Sequence, residues 1–227
     1  MKIGEYVVST FPIMLIIGIV GMFLCTYKRK KVFSLNLWQS AMFTALLTLT
    51  GVAGAMILYL LESGSFGGVS FYGSVFLIPM LMPLFGLLFK LKPGYTMDIC
   101  GPCVAIMIGC MRVNCFLSGC CGGWEICLGE FCFAWPTQTI DSIADFAIMA
   151  VLLRIEDKSP RSGKLYPMFM ILYSAMRFCL EFFRDTPKDW LHLSLGQWYA
   201  IVAIVTGLVW YNVCQRLNRI TNHVDCT

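Results

Sequence analysis

The sequence predicts an all-α, polytopic membrane bundle of seven transmembrane helices. Three observations predict it. The 227 residues are 58% hydrophobic and 13% charged, whereas soluble domains are nearer one quarter charged. The mean hydropathy is +0.74. Apolar runs of spanning length recur along the chain, separated by short basic or Gly-rich stretches. Together they exclude a separate soluble domain and predict one membrane domain over residues 1–227. The net charge of +4 comes from Lys and Arg between the apolar runs. No basic patch interleaved with aromatics is present, so nucleic acid is not an expected partner.

A span needs about 20 apolar residues. The first is expected over about 6–26, closed by Lys28-Arg29-Lys30-Lys31. It carries no cleavable-signal pattern and reads as a retained helix. The second covers about 41–61, ending at Glu62, and the Gly- and Ser-rich turn of 64–70 follows. Spans three and four cover about 71–89 and 98–116, with Lys90, Lys92, Pro93 and Gly94 between them. A loop over 117–136 holds Glu125, Glu130 and several cysteines. The fifth span, about 139–153, is short and contains Asp141 and Asp145. Beyond the charged loop of 154–164, the sixth and seventh cover about 165–183 and 196–214.

Seven spans put the two termini on opposite sides. Lys28, Arg29, Lys30, Lys31, Lys90, Lys92, Arg154, Lys158, Arg161, Lys164, Arg216 and Arg219 fall in one set of alternate loops. Lys2, Arg112, Arg184 and Lys188 fall in the other. Basic residues concentrate in cytoplasmic loops, so the N-terminus is expected outside and the C-terminus in the cytoplasm. Arg112, Tyr72, Asp141 and Arg177 then all lie in the outer half of the bilayer.

Charged residues at those depths mark candidate sites. An arginine at mid-bilayer costs roughly 2.5–3.5 kcal/mol on insertion scales, and less near the interface. Arg112 stands where an apolar helix meets a Gly- and Cys-rich turn. It reads either as a snorkelling helix end or as a fixed cation for an anionic group. Arg177, Glu181 and Arg184 are spaced i, i+4, i+7 and share one helix face. That spacing allows a simple intrahelical pair, or a carboxylate that orients Arg177 toward a ligand. The guanidinium fork suits a phosphate because it donates to two oxygens and stays charged when desolvated.

Other motifs are weaker. Gly67, Gly68, Ser70 and Gly73 flank Tyr72 at the entry to span three, where a plain turn and an interfacial tyrosine are the bland readings. Cys100-Gly101-Pro102-Cys103 has thioredoxin-type spacing but lies in an apolar span. Cys25, Cys100, Cys103, Cys110, Cys179 and Cys214 are expected to pack as small apolar residues. Cys115, Cys120, Cys121, Cys127 and Cys132 cluster at the loop, where disulfides are possible. His192 and His223 have no zinc-ligand spacing with them, so no metal is expected.

Taken in order, these pieces resemble the prolipoprotein diacylglyceryl transferases of bacteria. The resemblance rests on Gly67-Gly68-x-Ser70-Phe71-x-Gly73, on Asp98 with Pro102, and on Arg112-x-x-x-Phe116-x-x-Gly119-x-x-x-Gly123. Pro136-Thr137-Gln138, Arg177-Phe178-x-x-Glu181-Phe182-x-Arg184 and Ser194-x-Gly196-Gln197 complete it. It implies transfer of the diacylglyceryl group of phosphatidylglycerol to a prolipoprotein cysteine, with release of glycerol 1-phosphate and without a cofactor. The expected partners are phosphatidylglycerol, a prolipoprotein signal peptide or another thiol acceptor, and the bilayer. The implied location is the bacterial plasma membrane, with the site facing out. Arg112 and Arg177 match the family's essential arginines, and Glu181 would hold Arg177. Arg184, Ser70, Gly73, Gly119, Gly123, Gln138 and Gln197 would bind substrate or shape the site.

The chain departs from the family pattern at four places, which makes it a divergent member. Tyr72 stands where the family has a histidine, Cys120 for a glutamate, Cys115 for an asparagine, and Phe11 for a first-span tyrosine. A phenol with pKa near 10 is the weaker general base. The phosphate-binding residues are thus retained and the acid–base residues altered. Three rivals follow: a paralogue acting on another acceptor, a non-catalytic phospholipid-binding protein, and a membrane thiol oxidoreductase using the outer cysteines.

Overall fold

The computed structural model describes residues 2–3, 6–7, 10–120, 122–128, 131–184, 186–187 and 192–224. Helices dominate it. They are α1 (Phe11–Lys28), α2 (Lys30–Phe33), α3 (Leu37–Ser63), α4 (Phe71–Leu88), α5 (Pro93–Leu117), α6 (Thr137–Lys158), α7 (Leu165–Leu180) and α8 (Leu195–Val224). Two short antiparallel hairpins accompany them, β1 (Lys2–Ile3) with β2 (Tyr6–Val7), and β3 (Glu125–Leu128) with β4 (Phe131–Ala134).

A helix occupies each of the seven expected places. By length and composition, five are suited to cross a bilayer: α1, α3, α4, α5 and the 195–217 part of α8. The other two fall short for a chemical reason. Helix α6 carries Asp141, Asp145 and Glu156 on its buried side, and α7 has 16 residues with Arg177 in its last turn.

Local chemistry explains where the helices begin. Helix α3 starts earlier than expected because Asn36 and Gln39 form a reciprocal cap. Gln39 N donates to Asn36 Oδ1 at 2.7 Å, and Asn36 N donates to Gln39 Oε1 at 2.9 Å. Helix α5 also starts early, with Pro93 in its first turn, where proline loses no helical hydrogen bond. The β3–β4 hairpin inside the 117–136 loop was not expected. Cys127 there is disulfide-bonded. Cys121, Glu130 and Lys188 lie outside the described residues.

Cross-helix contacts set the helix directions. Thr10 Oγ1, at the start of α1, donates to Asn114 Oδ1 near the end of α5, 2.7 Å away. Ser142 Oγ donates to the Gly109 carbonyl at 3.0 Å, which runs α6 back along α5. Helices α3 and α4 form a tight hairpin whose backbones touch. A Cβ on Gly73 would collide with the Gly54 carbonyl oxygen, and a Cβ on Gly54 with Gly73. Only glycine permits such an approach. Ser74 Oγ adds a 2.6 Å bond to the Gly51 carbonyl across the same crossing.

Helix α5 is the centre of the bundle. In its most apolar stretch 72% of residues are buried, against 17% in α1 and in α8. Leu61, Met80, Leu84 and Val209 expose most of their surface, as expected where a helix faces lipid tails. Cys100 and Cys103 are fully buried and carry no disulfide. A Cβ on Gly101 would lie 3.0 Å from the Leu165 backbone. The CGPC run is therefore packing between α5 and α7.

The end of the bundle opposite the Gly67–Gly73 turn is held by buried polar groups. Arg29 pairs with Glu156, its Nε donating to Oε2 at 2.6 Å and its Nη2 to Oε1. The same guanidinium donates to the carbonyls of Asp98 (2.7 Å) and Ile99 (3.2 Å). Asp98 accepts from the backbone N–H groups of Gly163 (2.6 Å) and Leu165 (2.9 Å), which satisfies the start of α7. Arg29, grouped by sequence with the loop cations, is thus a buried tie between α1, α5 and α6.

Candidate functional site

The site is built where α5, α6, the end of α7 and the start of α8 meet. Helix α5 carries Arg112 in its second-last turn and α7 carries Arg177 in its last. Both are buried, with 4% and 7% of their surface exposed. Their guanidiniums converge on Asp141, in the first turns of α6. Asp141 Oδ2 lies 3.4 Å from Arg112 Nε and 3.0 Å from Arg177 Nη1. One carboxylate thus links the two arginines across three helices. Arg112 also stacks over the Phe71 ring, 4.7 Å from its centroid, a favourable cation–π placement.

Glu181 holds the other arm of Arg177. Its Oε2 accepts from Nη2 at 3.0 Å and lies 3.8 Å from Arg184 Nη1. Its Oε1 accepts from Ser194 Oγ at 3.2 Å. A Cβ on Gly196 would stand 3.4 Å from that oxygen, ordinary contact distance, so α8 begins close beside the carboxylate. Gln197 Oε1 accepts from Ser194 N at 2.9 Å and caps the same helix.

These groups border a cavity of about 820 Å³. Ser70, Tyr72, Arg112, Arg177, Glu181 and Arg184 line it, together with Phe11, Cys115 and Cys120. Its deeper wall is apolar, with Met22, Leu47, Ile78, Val104 and Ile108. A cavity polar at one end and apolar along its length fits an amphiphile with an anionic head and hydrocarbon chains. Among the described residues, no group of three or more His, Cys, Asp or Glu could hold a metal ion.

Tyr72 is buried against Tyr173, Tyr199 and Phe76, with ring centroids 5.7–6.1 Å apart. Its hydroxyl makes no hydrogen bond. Ser70 donates to Glu62 Oε1 at 3.0 Å at the cavity rim. Five residues grouped by sequence with the site stand outside the cavity wall and do structural work: Gln197, the cap of α8, and the four that follow. Gly73 is the α3–α4 crossing. Gly123 N donates to the Trp135 carbonyl at 2.9 Å, and Gly123 bridges Arg184, tying the loop to the end of α7. Gln138 Nε2 donates to the Cys120 carbonyl at 2.6 Å. Gly119 turns the chain after α5 with φ +68°, a left-handed conformation that suits glycine.

Sequence groups Asp141 with Arg112, Tyr72 and Arg177 by depth alone and has Ser194 in the family pattern, but gives neither a role in the site. Asp145 reads only as a polar residue of the fifth span. The signal available was their position, as polar groups at the starts or within the apolar runs of α6 and α8. Nothing local paired Asp141 with arginines on two other helices.

Residues 1–213 match the family model described as Prolipoprotein diacylglyceryl transferase. A Clostridium perfringens (strain 13 / Type A) protein named phosphatidylglycerol–prolipoprotein diacylglyceryl transferase 2 is 31% identical over 196 residues, 75% of this chain and 77% of that protein. A Clostridium tetani (strain Massachusetts / E88) transferase of the same name, without the number, is 32% identical over 130 residues, 52% of each chain. Its Nitrosomonas europaea namesake is 24% identical over 240 residues, covering 91% of this chain and 86% of that one. With the family model spanning both arginine-bearing helices and the glycine-rich turn, the chain belongs to the prolipoprotein diacylglyceryl transferase family, a family of multi-pass membrane proteins in which its own apolar helices place it.

Proposed function

We propose that this protein transfers the diacylglyceryl group of phosphatidylglycerol to the cysteine thiol of a prolipoprotein. The observation that carries the reading is the pair of buried guanidiniums, from α5 and α7, joined by one carboxylate at the polar end of a cavity with an apolar wall. The lipid phosphate sits on Arg112 and Arg177, with Arg184 beside them, and the acyl chains lie along the apolar wall. The acceptor sulfur forms a bond to the glycerol carbon bearing the phosphate oxygen. The carbon–oxygen bond breaks and its electron pair leaves with glycerol 1-phosphate. The arginines stabilise the charge that builds on that leaving group. Glu181 orients Arg177, and the acceptor's proton passes by way of the Tyr72 hydroxyl, which accepts it while giving up its own, to the departing phosphate.

In this reading α6 and α7 cross the bilayer with the five longer apolar helices, and the start of α1 and the site face the extracytoplasmic side of the bacterial plasma membrane. The lysines and arginines at the other end, gathered in alternate loops, support that orientation. The chain works as one membrane domain over 1–227, with its Cys-rich loop at 117–136 over the site. Gly73, Gly119, Gly123, Gln138 and Gln197 shape that site through helix crossing, turn and cap.

The test is a reconstituted assay with labelled phosphatidylglycerol and a peptide carrying the acceptor cysteine, wild type beside Arg177→Ala. Thioether product and glycerol phosphate are expected from the wild type and lost in the variant. Lipid bound in an Arg177-dependent way with no product from the wild type would assign a lipid-binding role, or another acceptor, to the same cavity.

A further inference from the structure

The ionisable groups around the two arginines include one that the transfer reaction does not use. Arg112, Arg177 and Arg184 are faced by three carboxylates, Asp141, Glu181 and Asp145. Asp141 engages Arg112 and Arg177, and Glu181 engages Arg177, Arg184 and Ser194. Asp145 is different. It lies one helical turn further along α6 and is fully buried, and neither of its oxygens has a hydrogen-bond partner. Arg112 of α5, Arg177 and Tyr173 of α7, and Asp141 of its own helix face it. The Tyr173 hydroxyl is likewise buried without a partner. Asp145 is absent from the cavity wall, so it reaches a bound lipid only through the arginines.

Counting charges shows what such a group does. With all three carboxylates ionised, three cations and three anions cancel. A phosphodiester entering that neutral cluster leaves one negative charge uncompensated in a buried site, which is strongly unfavourable. With one carboxylate protonated the cluster is a net cation and the phosphodiester neutralises it. Asp145 is the carboxylate with no hydrogen-bond donor to lose on protonation, so once an anion occupies the two arginines it is the one of the three whose charge is given up at least cost.

We propose that Asp145 is a proton-holding positioning residue that takes up one proton as the lipid phosphate settles on Arg112 and Arg177, and releases it when the anionic product leaves. The step forms one O–H bond on a carboxylate and changes no other bond. The proposal rests on reading the two arginines as the phosphate site. By reciprocity, protons favour lipid binding as much as lipid favours protonation. Affinity is therefore highest at low pH and falls as pH rises through the range where Asp145 ionises in the empty site. The slope approaches about tenfold per pH unit and vanishes where the carboxyl is already protonated. The phosphodiester and the arginines keep their charge throughout, and any slope from the Cys115 thiol, which also faces Arg112, persists in Asp145→Asn, so the part due to Asp145 is the part that variant removes.

The experiment measures phosphatidylglycerol binding to the purified full chain from about pH 6 to about pH 9, for wild type, Asp145→Asn, Asp145→Glu and Arg177→Ala. Calorimetry of the wild type in two buffers of different ionisation heat counts the protons taken up. Affinity falling toward high pH is expected in the wild type and in Asp145→Glu, with a distinctly flatter profile in Asp145→Asn and about one proton taken up per lipid by the wild type at high pH. An Asp145→Asn profile matching the wild type overturns the proposal, as does wild-type binding with no slope and no proton uptake. The wild-type calorimetry decides the matter should the Asn variant fail to fold. Arg177→Ala separates the two readings. Binding lost at every pH keeps the phosphate site whatever the proton result, whereas binding retained at wild-type strength removes the phosphate site and the proton proposal together.

Discussion

Arg29 and Glu156 come from opposite halves of the sequence and meet as a buried, two-pronged ion pair between the end of α1 and the end of α6. Removing one partner of such a pair strands the other charge, at a cost of about 3–5 kcal/mol, whereas replacing both with apolar residues of similar size is often neutral. Arg29→Met and Glu156→Met singly are expected to lower thermal stability strongly in detergent, and the double variant to regain much of the loss. Simple additivity of the two single effects would show that the pair is not energetically coupled.

Asp141 spaces the two arginines of the proposed phosphate site. Asp141→Asn keeps the shape of the side chain and weakens its hold on both guanidiniums. A displacement near 1 Å at reacting groups costs about 10²-fold in rate. Turnover is expected to fall by about that factor, while phosphatidylglycerol still binds, because both cations remain. Asp141→Glu is expected to recover part of the rate. Single-turnover kinetics beside lipid-binding titrations separate rate from affinity, and an Asn variant with wild-type turnover would remove Asp141 from the spacing role.

Tyr72 tests whether the altered base takes part. General acid–base groups contribute about 10²–10⁴-fold. Tyr72→Phe deletes one oxygen and keeps the ring packed against Tyr173 and Tyr199. Its kcat is expected to fall within that range with lipid affinity unchanged, and Tyr72→His to sustain turnover. A Phe variant as fast as the wild type would assign proton handling elsewhere.

Much of the fold could be read from sequence, because hydrocarbon demands long apolar runs. The Arg177–Glu181 pair could be read too, since i, i+4 neighbours on a helix meet wherever the helix lies. Contacts made only by tertiary packing could not. Asp141 reaches Arg112 and Arg177 because α6 crosses both α5 and α7, and nothing within ten residues of Asp141 announces it. Arg29 sat in a basic run and looked like a loop cation until Glu156, from the end of α6, covered it. Gly73 carried the family pattern yet serves the approach of two backbones, while the β3–β4 strands, four residues each, are too short for periodicity to declare.

The contact between Gly54 and Gly73 has a consequence for how this chain can change over time. Neither position has a side chain to surrender, so an added methyl at one finds no compensating truncation at the other. The two sites are therefore expected to be nearly closed to drift, and the angle of the α3–α4 hairpin is inherited as a unit. Leu61 and Met80, on the same two helices but facing outward, answer only to the lipid and remain open to exchange among apolar residues. A deep mutational scan of this hairpin should thus show Gly54 and Gly73 intolerant even of alanine, against outward-facing positions such as Leu61 and Met80 that accept other apolar residues.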